Sequence, residues 1–156
     1  MTVERSPTGA EAADRIQRAE GVLEANETMS VALCSADKPW IGKVFFIEDT
    51  PEPGRLDVCC AIVGTDHNVA LFSEGATVAF LAGGEEPDRW VQGSGYAEVV
   101  ADDADALAIV KRLRDRSEAA ARFLELLDAR AVRIHVQRLT AVDLDADPPI
   151  AEFSFS

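Results

Sequence analysis

Trp90 and Gln92 stand two residues apart in a run, Arg89 to Val100, that alternates as a β-strand does. Residues of like parity on a strand project to one face. An indole beside a carboxamide can stack on a flat ring and hydrogen-bond its edge, and the same pair could equally be buried at a subunit contact, where Trp is favoured. His67, in the segment Gly64-Thr65-Asp66-His67-Asn68, is a lone loop histidine that could bind a ligand, cap the following helix or face water. His135 falls on the polar parity of a late strand, between Arg133 and Gln137, and is expected at the surface or an interface rather than in catalysis. Cys34, Cys59 and Cys60 form no metal-ligand spacing, so they read as small buried apolar residues in a reducing compartment. Asp102, Asp103 and Asp105 read as a helix start rather than a metal site. There is no dinucleotide or phosphate-binding glycine loop and no Ser-centred nucleophile elbow. No side chain declares itself as catalytic.

Composition narrows the classes further. The 156 residues are 47% apolar, enough for one sizeable core, and carry 15 basic and 28 acidic side chains for a net charge of −13. The acids are spread along the chain, and such a field repels phosphate backbones and anionic membranes, so neither nucleic acid nor membrane is expected as a partner. The longest apolar run, Val58 to Val63, is far short of the ~20 residues of a membrane span, and Met1 to Pro7 lacks a secretory pattern. A soluble, cytoplasmic protein of one domain, residues 1–156, is expected.

The elements that must position these residues follow from periodicity. Ala12, Ile16, Ala19 and Leu23 predict an amphipathic helix within residues 9–25. Met29–Cys34 and Trp40–Glu48 predict a hairpin around Ala36-Asp37-Lys38-Pro39; Pro51 to Gly54 turns the chain into a third strand, Leu56–Val63. A short helix from Asn68 to Ser73, ending near Gly75, precedes a strand around Thr77–Leu81; Gly83 to Asp88 then turns into Arg89–Val100, whose Gly93 and Gly95 predict a bulge or close approach. Helices follow from Asp102, with Leu107, Val110 and Leu113 inward, and from Ser117, with Phe123, Leu126 and Leu127 buried. The last strand, Ala131–Leu144, puts Val132, Ile134, Val136, Val142 and Leu144 on one parity. The barrel region spans about 29–145. The tail, 146–156, carries Phe153 and Phe155 and should dock, with a second subunit as one surface for it.

Six strands, one inserted helix after the third and a helical pair before the last resemble the flavin-binding split β-barrel of the pyridoxamine 5′-phosphate oxidase-like superfamily. The resemblance rests on the hairpin Lys38 to Phe46, the loop Thr65-Asp66-His67 leading to Leu71, and the strand Arg89 to Val99. It implies a mainly β, α+β fold: a six-stranded antiparallel split barrel that forms a homodimer and holds flavin mononucleotide (FMN) between the copies. By position, Lys43 stands where the family has a phosphate-binding cation, with backbone contacts from the same hairpin around Val44. Thr65 stands where it has a loop hydroxyl, and His67 and Asn68 follow. Trp90 and Gln92 would meet the ring. Positions usually basic in the family are Asp66 and His67 here, and Glu48 takes a place that is basic in the oxidase itself. The implied activity is FMN-dependent oxidoreduction of a small molecule. The alternative is a non-catalytic split barrel that holds another planar ligand, haem through His67 or a deazaflavin, or serves as a dimeric interaction module.

Overall fold

The computed structural model describes residues 9–72, 75–83 and 86–155, and of these the side chains from residue 16 onward. The side chain of Ala12 and residues Met1 to Pro7, Ser73, Gly84 and Ser156, which figure in the expectations above, lie outside that description. Helix α1 (Gly9–Ala25) leads into strands β1 (Thr28–Ser35), β2 (Lys38–Asp49) and β3 (Asp57–Val63). Then come helix α2 (Asp66–Phe72), β4 (Ala76–Gly83), β5 (Arg89–Val99), α3 (Asp103–Arg116), α4 (Glu118–Leu126), β6 (Ala129–Asp143) and β7 (Ile150–Ser154).

The strands run in the order β3-β2-β1-β4-β5-β6-β7, and β3 also pairs with β6, so six antiparallel strands close into a barrel. Strand β6 is long enough to serve two neighbours on one edge: residues 129–135 pair with β3, and residues 138–142 pair with β7. The tail is thus a seventh strand. Phe153 and Phe155 pack against the chain's own core, with no second subunit needed to cover them. Parity had placed Val142 with Val132, Ile134 and Val136. The register between β5 and β6 shifts at Ser94/Gly95, leaving Gln137 unpaired with β5, and beyond it Leu139 and Ala141 turn to the barrel interior instead.

Alternation sorts the side chains. Met29, Val31, Val44, Phe46, Val58, Cys60, Phe80, Val91 and Ile134 fill the barrel, with Ala19, Val22 and Leu23 of α1 and Phe72 of α2 joining them. A second cluster, Ile47, Cys59, Ala61, Ile109, Leu113 and Ala131, lies between the outer wall and α3. Cys59 and Cys60 therefore serve opposite faces as buried apolar residues, and burial pushes the Cys59 thiol up to about 12. Cys34 differs: it is exposed, because it sits on the outward parity beside Pro39 at the turn end of the first hairpin. That hairpin turns on Ala36 and Asp37 alone, at φ 50° and 62°, the primed geometry that matches strand twist.

Asp102 caps α3 by accepting from the Ala104 amide at 3.1 Å, as the acidic start predicted. Asp102→Ala should cost about 1 kcal/mol, read as a lowered urea midpoint at unchanged slope. The inward stripe of α3 is Ala106, Ile109 and Leu113, so Leu107 faces solvent; that of α4 is Ala120, Phe123 and Leu124, so Leu126 is exposed and Leu127, past the helix end, is too. Both stripes follow i, i+3, i+4 or i+7 spacing; Leu113 and Phe123 lie inward as expected, whereas Leu107, Leu126 and Leu127 do not.

Candidate functional site

Helices cover much of the barrel but leave a broad part of its outer wall bare. The register assigns the residues there in rows. One row runs Lys43, Ser30, Leu81, Gln92, Thr140, Glu152 across β2, β1, β4, β5, β6 and β7. The next runs Ile41, Ala32, Ala79, Ser94, Arg138, Ser154. Small residues at 30, 32, 79 and 94 make a floor. Ile41, 72% exposed, and Leu81, 44% exposed, stand on it as uncovered apolar side chains.

Two adjoining hollows occupy this wall. One of about 530 Å³ is lined by Ala32, Leu33, Pro39, Trp40, Ile41, Thr77, Val78, Ala79 and Ser94 and is almost wholly apolar. The other, about 320 Å³, shares Ala79 and Ser94 and adds Gln92, Arg138, Thr140 and Glu152. The indole of Trp40 covers Gly42, meets Phe72 edge-on at 5.6 Å, and so forms a rigid wall to the first hollow. Arg138 and Lys43 make no hydrogen bond or ion pair among the described residues.

The predicted contact residues divide. Gln92 lines the polar hollow, and Trp90 donates its indole N–H to the Gln92 side-chain oxygen at 3.1 Å, so the pair shares one outward face as parity required. Lys43 is exposed on the same wall. The Val44 side chain is buried in the barrel, which leaves only its backbone for a ligand. Thr65 caps α2, its hydroxyl accepting from the Asn68 amide at 3.2 Å, while the Asn68 side chain donates to the Val63 carbonyl at 3.0 Å. Thr65, His67 and Asn68 line neither hollow.

Glu48 lies on the inward parity of β2, opposite in facing to Lys43, and Arg116 neutralises it at 2.7 Å. It therefore places no free charge on the outer wall. The residues that sequence reasoning missed are Ser30, Ala32, Ala79, Ser94 and Arg138. Their signal is pairing across five strands, which a single strand's pattern does not contain.

No protein-family model and no curated protein matches the sequence. Solved structures do match. A protein from Clostridium acetobutylicum related to general stress protein 26 of Bacillus subtilis, of the pyridoxinephosphate oxidase family, aligns over 90% of this chain and 94% of its own, at TM-score 0.66 and 10% identity. The fold is the pyridoxamine 5′-phosphate oxidase-like split barrel. Other split barrels of like shape carry different ligands by name. The haem storage protein HutZ of Vibrio cholerae aligns over 80% of this chain and 89% of its own (TM-score 0.60, 14% identity). A FAD-binding protein of Mycobacterium smegmatis aligns over 89% and 95% (TM-score 0.54, 18% identity). Among the described residues no helix is long and apolar enough to cross a membrane.

Proposed function

We propose that this split barrel binds FMN on its bare outer wall, between two copies of the chain, and uses it to oxidise or reduce a small molecule. The observation that supports this is the floor of small residues between the apolar edge of Ile41, Leu81 and Trp40 and the polar edge of Gln92, Thr140 and Arg138. A flat ring with one apolar edge and one hydrogen-bonding edge suits such a surface. The exposed Ile41 and Leu81 are what a second copy would cover, which would also exclude water from the ring. Flavin would supply the hydride or electron transfer. The chain's own residues would do the rest: Trp40 fixes the ring's lateral position, Gln92 is held in orientation by the Trp90 N–H, and Lys43 or Arg138 offers a cation to phosphate.

The test is to mix the purified protein with FMN, remove free ligand and record the absorption spectrum and the molecular mass in solution. Retained flavin bands on a dimer are expected. Ala79→Glu, a change at an exposed floor position, should weaken FMN binding at least tenfold, about 1.4 kcal/mol. No flavin uptake would reject the reading. A haem Soret band after haem addition, lost in His67→Ala, would favour the haem-binding alternative.

A further inference from the structure

On the barrel wall where β3, β6 and β5 run side by side, the chain holds a concentration of charge around one unsatisfied atom. Asp57 is 1% exposed, and its Oδ1 has no hydrogen-bond partner among the described residues. The titratable group facing that oxygen is His135, its cross-strand partner on β6, whose Nδ1 lies 3.4 Å away. That Nδ1 is already engaged: Arg55 Nη2 lies 3.0 Å from it. A guanidinium can only donate, so Nδ1 is the acceptor, the ring is neutral, and its proton is on Nε2, donating to Glu98 Oε1 at 2.9 Å.

Two arrangements of this nitrogen exclude each other. A neutral ring accepts from Arg55 and leaves Asp57 Oδ1 without a donor. A protonated ring has no lone pair for Arg55 and a new N–H facing Asp57 Oδ1. We propose that His135 is a proton-operated latch: neutral, it ties Arg55, and with it the loop of residues 50–56, to the barrel wall; protonated, it turns to Asp57 and releases the guanidinium.

The surroundings are consistent with both positions of the latch. From β5, Glu98 accepts the Nε2 proton in either state and Tyr96 stacks on the imidazole at 4.7 Å between centroids. From β3 and the loop before it come Asp57 and Arg55, the latter also held by Glu52 at 3.4 Å and by Asp57 Oδ2 at 3.5 Å, a contact that an imidazolium at Oδ1 weakens by neutralising the same carboxylate. On His135's own strand, the Arg133 guanidinium is taken up by Asp49, Asp57 Oδ2 and Asp105, so it presents no free positive charge against an imidazolium. Histidine is the side chain that ordinarily changes charge between about pH 5 and 8.

The release has somewhere to act. Arg55 lines a groove of about 360 Å³ between α1 and the loop, with Ile16, Glu20, Pro51 and Phe155 among its walls. Acidification would move a cation from the wall into that groove and loosen one side of it.

The chain has two histidines, so the imidazole of His135 can be followed by nitrogen NMR, with His67→Gln to assign it. At pH 8 the Nε2–H tautomer is expected; at pH 5.5 both nitrogens should be protonated. Exchange of the Arg55 and Val136 amides, which donate to the Glu52 and Leu56 carbonyls and so report on the loop, should then lose at least fivefold in protection once corrected for the intrinsic effect of pH. His135→Gln should abolish that loss, and Arg55→Met should show weak protection already at pH 8. An Nδ1–H tautomer at pH 8, equal protection at both pH values in the unaltered chain, or an undiminished loss in a folded His135→Gln variant would each overturn the proposal. The tautomer and exchange of the unaltered chain decide the matter even if a variant fails to fold.

Discussion

Gly95→Ala should destabilise the barrel by about 3 kcal/mol or more, at the severe end of single substitutions. A Cβ at this position would lie 2.1 Å from the His135 carbonyl oxygen and 3.1 Å from the Val136 Cα, both backbone atoms that no rotamer change can move. Strand β5 would have to leave β6 at the bulge that reverses the facing of Leu139 and Ala141. The loss would thus reach the core contacts of both residues and the seating of β7. Urea unfolding checks it, with Gly21→Ala as the control. Gly21 is in α1 with nothing within 4 Å of a built Cβ, and its replacement should be neutral or stabilise by up to about 1 kcal/mol.

Arg133→Met should cost about 3–5 kcal/mol, the scale for removing one partner of a buried ion pair. The guanidinium meets Asp49 and Asp57 at 2.9 Å each and Asp105 at 3.3 Å, its side chain only 14% exposed. Burial opposes its charge, but the hydrogen bonds it donates to Asp49 and Asp57 outweigh that and raise its pKa above the ordinary arginine value. Without it, buried Asp57 keeps only the longer Arg55 contact, at 3.5 Å, against its charge. Adding Asp57→Asn to Arg133→Met should therefore recover part of the loss, a coupling that a double-mutant cycle in thermal unfolding measures. A loss below 1 kcal/mol would mean that water reaches these carboxylates when the cation is gone.

The element order was legible in the sequence because each strand carries its own alternation and each turn its own Pro, Gly or Asp signal. Gly93 and Gly95 announced a bulge by being glycines in a strand. The direction in which the chain faces after a bulge depends on the partner strand's register, and so Val142 was assigned with the wrong neighbours. The tail, with Phe153 and Phe155, read as a segment in want of cover and not as a strand; nothing in Ile150 to Ser154 says which edge will receive it. His135 read as a surface residue because polar parity reports only the absence of apolar packing. Its actual surroundings come from Arg55 in the loop before β3, Asp57 on β3 and Glu98 on β5, all distant in sequence. The candidate site followed the same rule. Trp90 and Gln92, on one strand, were visible together, whereas the floor of residues 30, 32, 79 and 94 exists only once strands are paired.

Strand β6 is the shared edge of two ladders, and its pairing with β3 brings together residues as far apart as the Arg133–Asp57 pair, 76 positions along the chain. Closing so large a loop costs entropy before any contact repays it. The strands β1, β2, β4 and β5 can form a curved open sheet from near-neighbour pairings, but closure waits for β6. A chain interrupted between residues 100 and 128 would keep an open seam of unpaired amides on β3 and β5, the kind of edge along which sheets of different molecules join. Barrel closure is therefore also this chain's protection against self-association during its own folding.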